Sequence, residues 1–216
     1  IEINRQSQTS PNENGNGTTT TGDFATAYLS HGTTPSDQTY EYVIIPETTI
    51  AEMDAFSNNM ATPATAFYTV LKQDETAHII KKSSLNLYGY VLFQGGNYTG
   101  IGSPLLSNDE PCLVFLEDGA SDFKLSVVNP DLNFASNGGV SQAIPITLVI
   151  EGNRNLASFS GGAVTATLSG SNTTLTIFPK DGLPVDITLS TVLPVDLANF
   201  STSCESNNIL SNLRKC

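Results

Sequence analysis

Charged side chains are scarce in this sequence. They make up 14% of its 216 residues, and only nine are lysine or arginine against 21 aspartates and glutamates, a formal net charge of −12. A chain so poor in positive charge lacks the basic face that a nucleic acid requires. It fits a polyanionic sugar equally badly, unless its few cations cluster or a further domain supplies the positive field. Cysteine is limited to Cys112, Cys204 and Cys216, too few for a disulfide framework. Cys204 and Cys216 flank a short polar tail and could pair with each other, whereas Cys112 sits in an apolar run and reads as a buried thiol. No apolar run is long enough to cross a bilayer as a helix. No signal peptide is read at this start either, and an opening on Ile1 rather than Met reads as a processed or trimmed product from which export cannot be judged.

The motifs of familiar chemistries are missing as well. No Gly-x-Ser-x-Gly elbow opens a helix, so the many serines and threonines lack the frame of a hydrolase nucleophile. No Gly-rich loop precedes a helix, which argues against a phosphate cradle. Cysteines and histidines are scattered rather than clustered as zinc requires. Asp109, Glu110, Glu117, Asp118 and Asp122 could surround calcium from neighbouring loops, but no EF-hand spacing exists and solvated loop carboxylates are the simpler reading. His31 and His78 are the two histidines. An imidazole near neutral pKa can serve as a general base, yet each also has a structural use, His31 holding a turn and His78 lying on one face of an outer strand. Lys81 and Lys82, with Lys72 nearby, form the densest positive patch, a conceivable contact for acidic sugar or simply a solvated strand end. Four Asn-x-Ser/Thr matches, at Asn16, Asn97, Asn172 and Asn199, arise readily by chance in a Ser/Thr-rich chain.

What is present is strand after strand. Hydrophobic residues are 39% of the chain, with 17 Gly and 11 Pro, a balance that reads as all-β. Strands are expected at 66–71, 77–81, 85–93, 112–116, 123–128, 144–150, 163–168, 173–178 and 185–189. Turn clusters at 94–97, 117–119 and 170–172 separate several of them. Regular short strands with such turns predict an antiparallel β-sandwich. Upstream, Ile1–Arg5 reads as a strand, and Gln6–Gly22, rich in Asn, Gly, Ser and Thr, as a long exposed loop. Thr49-Ile-Ala-Glu52 has capping-box spacing, which predicts a short helix from about Thr49 to Asn58, its Ile50, Met53 and Phe56 tucked against a sheet. The segment 58–63 marks the expected boundary between 1–62 and a second domain, 63–195, with a tail at 196–216.

One stretch organises the rest. Ala27–Ser30 and Tyr40–Ile45 read as two strands joined through Gly32 and Pro35 and closed by Pro46. Tyr40 and Tyr42, two apart, would share one sheet face; they could stack on sugar, but core packing is the simpler use. The pattern His31-Gly32-x-x-Pro35, then Tyr40-x-Tyr42, then an apolar run ending at Pro46 resembles the late central domain of polysaccharide lyase family 8, which holds the chondroitin AC, hyaluronan and xanthan lyases. Downstream order fits that family's C-terminal domain: Phe67–Lys72, Ala77–Lys81, Leu85–Phe93, Pro111–Leu116 and Leu125–Asp131. The Asn129-Pro130-Asp131 turn departs from the family's Asp-Pro-Thr type.

The resemblance implies the end of a large multi-sheet sandwich followed by a C-terminal β-sandwich. It also implies a parent enzyme cutting uronic-acid-containing polysaccharide by β-elimination. The family's catalytic Asn, His, Tyr and Arg lie in an N-terminal helical toroid that no stretch of this chain matches, so no catalytic residue and no metal ligand is assigned here and the substrate-binding residues stay open. Implied partners are that toroid, the remaining central domain and, through the whole enzyme, acidic polysaccharide; no cofactor, nucleic acid or membrane is implied. Val192–Ser201 resembles the junction leading into the sorting domain of Bacteroidetes proteins that use type IX secretion, which implies a secreted protein. A stand-alone secreted carbohydrate-binding or adhesive sandwich is the alternative, and an enzyme with an unrecognised acidic site a third.

Overall fold

The computed structural model describes residues 2–12, 15, 17–132 and 139–191. Cys204, Cys216 and the sorting-type junction lie outside them. The chain divides into two compact units, Ile1–Met53 and Asp54–Cys216.

In the first unit, β1 (Glu2–Pro11) pairs antiparallel with β2 (Thr19–Tyr28), Glu2 opposite Tyr28 and Pro11 opposite Thr19. The expected loop at 6–22 is therefore mostly ladder. Its Ser, Thr and Gln residues find partners across the ladder, and at its end Asn12 donates to the Thr18 hydroxyl at 2.8 Å and accepts from the Thr20 hydroxyl at 2.9 Å. The expected strand pair around Gly32 does not form. Gly32 does adopt the left-handed conformation, φ +81°, but β2 is committed to β1 and Tyr40–Ile45 carries no strand. A strand exists only within a ladder of backbone hydrogen bonds to a neighbouring strand, and 40–45 belongs to none of the sheets.

The helix α1 (Ile50–Met60) begins where its cap dictates. Glu52 accepts from the Thr49 backbone N–H at 2.8 Å, and the Glu52 N–H donates back to the Thr49 hydroxyl at 3.3 Å, a reciprocal capping box. The expectation that its apolar residues tuck against a sheet is overturned: no residue of α1 is buried and Ile50 is 84% exposed. Phe56 instead stacks on Phe67, with ring centroids 5.0 Å apart.

The second unit is a sandwich of two antiparallel sheets. Its strands run β3 (Thr69–Gln73), β4 (Ala77–Lys82), β5 (Leu87–Leu92), β6 (Gly96–Asn97), β7 (Leu105–Asn108), β8 (Cys112–Asp118), β9 (Asp122–Val128), β10 (Ile146–Glu151), β11 (Arg154–Ser160), β12 (Ala163–Ser169), β13 (Asn172–Phe178) and β14 (Val185–Thr191). One sheet is ordered β11-β14-β9-β8-β5-β4-β3 and the other β12-β13-β10-β7-β6. Strict alternation makes the core: Cys112, Val114 and Leu116 point inward while Leu113 and Phe115 point out, as a period of two requires. Across the layer Ile146, Leu148, Ile150, Leu175 and Ile177 are fully buried.

Two features lock the layers and a third braces the seven-stranded sheet. Gly161 and Gly162 turn the chain from β11 in one sheet to β12 in the other. At Gly161, φ is +84° and an added Cβ would lie 2.2 Å from the Pro184 carbonyl, so only glycine fits. The buried Thr173 hydroxyl on β13 donates to the Gly152 carbonyl and accepts the Arg154 N–H, both at 2.8 Å, tying β13 to the start of β11. Arg154 then lays its guanidinium over the Phe123 ring at 3.9 Å and reaches Asp118 at 3.4 Å. β6, β7 and β11 are additions to the expected strands.

Candidate functional site

The residues of the organising motif come together as a cleft in the first unit. Tyr28 ends β2 and the chain then loops through His31 before returning at 40–44. Tyr28, Leu29, His31, Tyr40, Glu41, Tyr42 and Ile44 line an open pocket of about 630 Å³. The His31 and Tyr40 rings are 6.4 Å apart and tilted 41°, and Tyr40 and Tyr42 stack at 6.2 Å and 13°. Tyr40 is 59% exposed and Tyr42 70%, so the core-packing role expected for them is not what this structure gives. Stacked phenols present flat apolar faces with polar rims. The cleft thus offers ring-stacking surface plus the imidazole of His31 and the carboxylate of Glu41.

The remaining candidates are dispersed. His78 stands exposed on β4, edge-on to Phe93 at 5.2 Å. Lys72 is bonded to Asp74, and the Lys81 ammonium lies over the Tyr88 ring at 5.2 Å, so two of the three cations in that patch have local partners. Asp74 caps the β3–β4 turn, accepting from the Thr76 N–H at 2.8 Å and its hydroxyl at 2.6 Å. The Lys72 ammonium and the Thr76 donors hold its carboxyl well below the usual carboxylate range. Three of the acidic residues weighed for calcium are engaged separately. Asp109 accepts the Thr147 N–H at 2.6 Å, Glu117 faces Lys124 at 3.9 Å and Asp118 faces Arg154. Among the described residues no group of three or more His, Cys, Asp or Glu is arranged to hold a metal.

Two buried polar groups went unseen in the sequence. Tyr98, 1% exposed, donates its hydroxyl to Asn108 Oδ1 at 2.6 Å, and the Asn108 amide donates to the Gln94 and Glu110 carbonyls at 3.0 and 2.7 Å. Burial pushes the Tyr98 phenol up to about 12. Tyr90 is buried against Ser103, 2.9 Å away, and its phenol is likewise raised by burial. Cys112 is the buried thiol expected, pushed up to about 12 by desolvation. The Asn129-Pro130-Asp131 turn closes through the Asp131 N–H donating to Asn129 Oδ1 at 2.9 Å. These groups hold the sandwich; none lines the cleft.

Fold and cleft together define a two-layer antiparallel β-sandwich joined to a smaller β unit that bears an aromatic pocket. Residues 69–135 match the model of polysaccharide lyase family 8, C-terminal beta-sandwich domain. The chondroitin sulfate ABC endolyase of Proteus vulgaris is 29% identical over 191 residues, which are 88% of this chain and 18% of the endolyase. A chondroitin sulfate ABC exolyase of the same organism is 36% identical over 110 residues, 51% of this chain and 10% of that enzyme. The chondroitin AC lyase of Streptomyces coelicolor, solved in complex with chondroitin sulphate, superposes with a TM-score of 0.63 at 18% identity, covering 88% of this chain and 24% of that one. That last likeness is one of fold. These likenesses support a C-terminal portion of polysaccharide lyase family 8, and the chain spans less than a fifth of the curated relatives it matches.

Proposed function

We propose that this chain is the supporting, non-catalytic C-terminal part of a secreted lyase that cleaves uronic-acid-containing polysaccharide. The reaction is a β-elimination. A base removes the proton at C5 of the uronate, the bond from C4 to the linking oxygen breaks, and a C4–C5 double bond forms as that oxygen takes up a proton. The observation that carries the reading is the family match at 69–135 within a chain that aligns over 88% of its length to a far longer lyase. The dispersal of His78, the lysines and the carboxylates supports placing the working groups elsewhere. A net charge of −12 fits the same division of labour, because a positive field for an acidic substrate would then come from the upstream region.

The test is turnover by the isolated chain on chondroitin sulphate, followed by the ultraviolet absorbance of the unsaturated uronate. No absorbance is expected from this chain, and clear turnover would contradict the proposal. A second reading, a carbohydrate-binding module, is favoured by the exposed Tyr40–Tyr42 stack beside His31. Saccharide affinity of the isolated chain that is abolished by replacing Tyr42 would select it.

A further inference from the structure

The two outer faces of the sandwich differ in chemistry. On the five-stranded sheet the outward residues of β10, β12 and β13 include Thr147, Thr165, Thr167, Thr174 and Thr176, set side by side by the strand register, and threonine hydroxyls suit a solvated face. On the seven-stranded sheet the outward residues at the middle of β3, β4, β5 and β8 are apolar, and His78, Lys82 and Glu117 stand at their rim. Val70 stands opposite Ile80, Ile80 opposite Gly89, and Gly89 opposite Phe115; in the next row Val91 stands opposite Leu113. Val70, Ile80, Val91, Phe93, Leu113 and Phe115 are between 36% and 54% exposed. A continuous apolar patch of this kind is rare on a surface that faces water alone and marks an interaction site.

Resting on the reading of this chain as part of a longer lyase, we propose that the patch is where the upstream region of the same polypeptide docks. Three observations choose that occupant. The relatives are several times longer than their matched portion, which fills only 18% and 10% of them, so a region large enough to cover a sheet face exists in proteins of this kind. An acidic polysaccharide is disfavoured, because the patch is apolar at its centre and its rim sets the carboxylates of Glu117 and Asp186 among the cations Lys82 and Lys124, the latter facing Glu117 at 3.9 Å. A second copy is disfavoured by repulsion between two chains that each carry −12.

The experiment places single cysteines on the two faces, Phe115→Cys and Val91→Cys against Thr167→Cys, in this chain and in the whole lyase polypeptide. Alkylation of each peptide is followed by mass spectrometry. Phe115→Cys and Val91→Cys are expected to react freely in this chain and to slow by about tenfold or more in the whole polypeptide, as a covered site does. Thr167→Cys is expected to react alike in both. Equal rates for Phe115→Cys and Val91→Cys in both contexts would overturn the inference. So would protection that appears in this chain as its concentration rises, which would assign the face to a second copy. A whole polypeptide that is active yet unprotected sinks this inference alone. One that is protected but never forms unsaturated uronate sinks the lyase reading and leaves the docking face standing.

Discussion

At the scale of single residues, the molecule spends its polar groups on holding strands. Asn108 meets the Tyr98 hydroxyl and two carbonyls from a site only 6% exposed, and buried donors and acceptors are costly to orphan. Asn108→Ala is expected to lower stability by about 1–3 kcal/mol, read from the midpoint of denaturant unfolding. An unchanged midpoint would show that water replaces the amide at no cost. Alkali should act through the buried acids. Cys112 and Tyr98 both sit at about 12 in the fold, against ordinary values of 9.0 and 10.0. A raised folded value contributes stability that is full below the unfolded value and is lost as pH rises toward the folded one. The melting temperature is therefore expected to fall between about pH 9 and pH 12, and a flat profile across that window would contradict the burial argument. Acid works through Asp74 with the opposite sign. Its carboxyl is lowered in the fold, so its contribution is full above the ordinary carboxylate range and is lost as pH falls below it. Asp74→Asn should flatten the acid side of the stability profile, and an unaltered acid limb would show that the turn does not depend on that charge.

At the scale of elements, the capping box offers the sharpest check. Removing the Thr49 hydroxyl takes away the bond to the Glu52 N–H, so Thr49→Ala should cost about 1 kcal/mol and reduce helical circular dichroism. Retained helicity would mean that α1 is held by something other than its cap. That helix start was legible because the cap is local: Thr49 and Glu52 are three residues apart. Nine sandwich strands were legible for the same kind of reason, the alternation in Cys112–Leu116 being the plainest case. What escaped depends on distant partners. β11, Arg-Asn-Leu-Ala-Ser-Phe-Ser, has no β-branched residue and becomes a strand because β14 offers its edge. β7 pairs with β10 from some forty positions away. Tyr40–Ile45 failed in the opposite sense, a strand-like composition without a ladder. The cleft was half legible: the residues His31, Tyr40 and Tyr42 stood out, but their exposure and mutual stacking belong to the folded loop.

At the scale of the whole molecule, the proposed reading puts support in this chain and the chemistry upstream of it. A sandwich closed on its own core, with one threonine-rich face and an apolar patch on the other, is suited to being covered on one side. In the small unit His31 and Tyr42 line the open aromatic cleft. The most direct test is therefore made in the whole lyase polypeptide carrying His31→Gln and Tyr42→Phe together, with the rate of unsaturated-uronate formation measured at saturating substrate. The account predicts a kcat within a few-fold of the unaltered enzyme. General acid–base groups contribute about 10²–10⁴-fold, so a loss of that size with the fold intact would place the chemistry in this chain and contradict it.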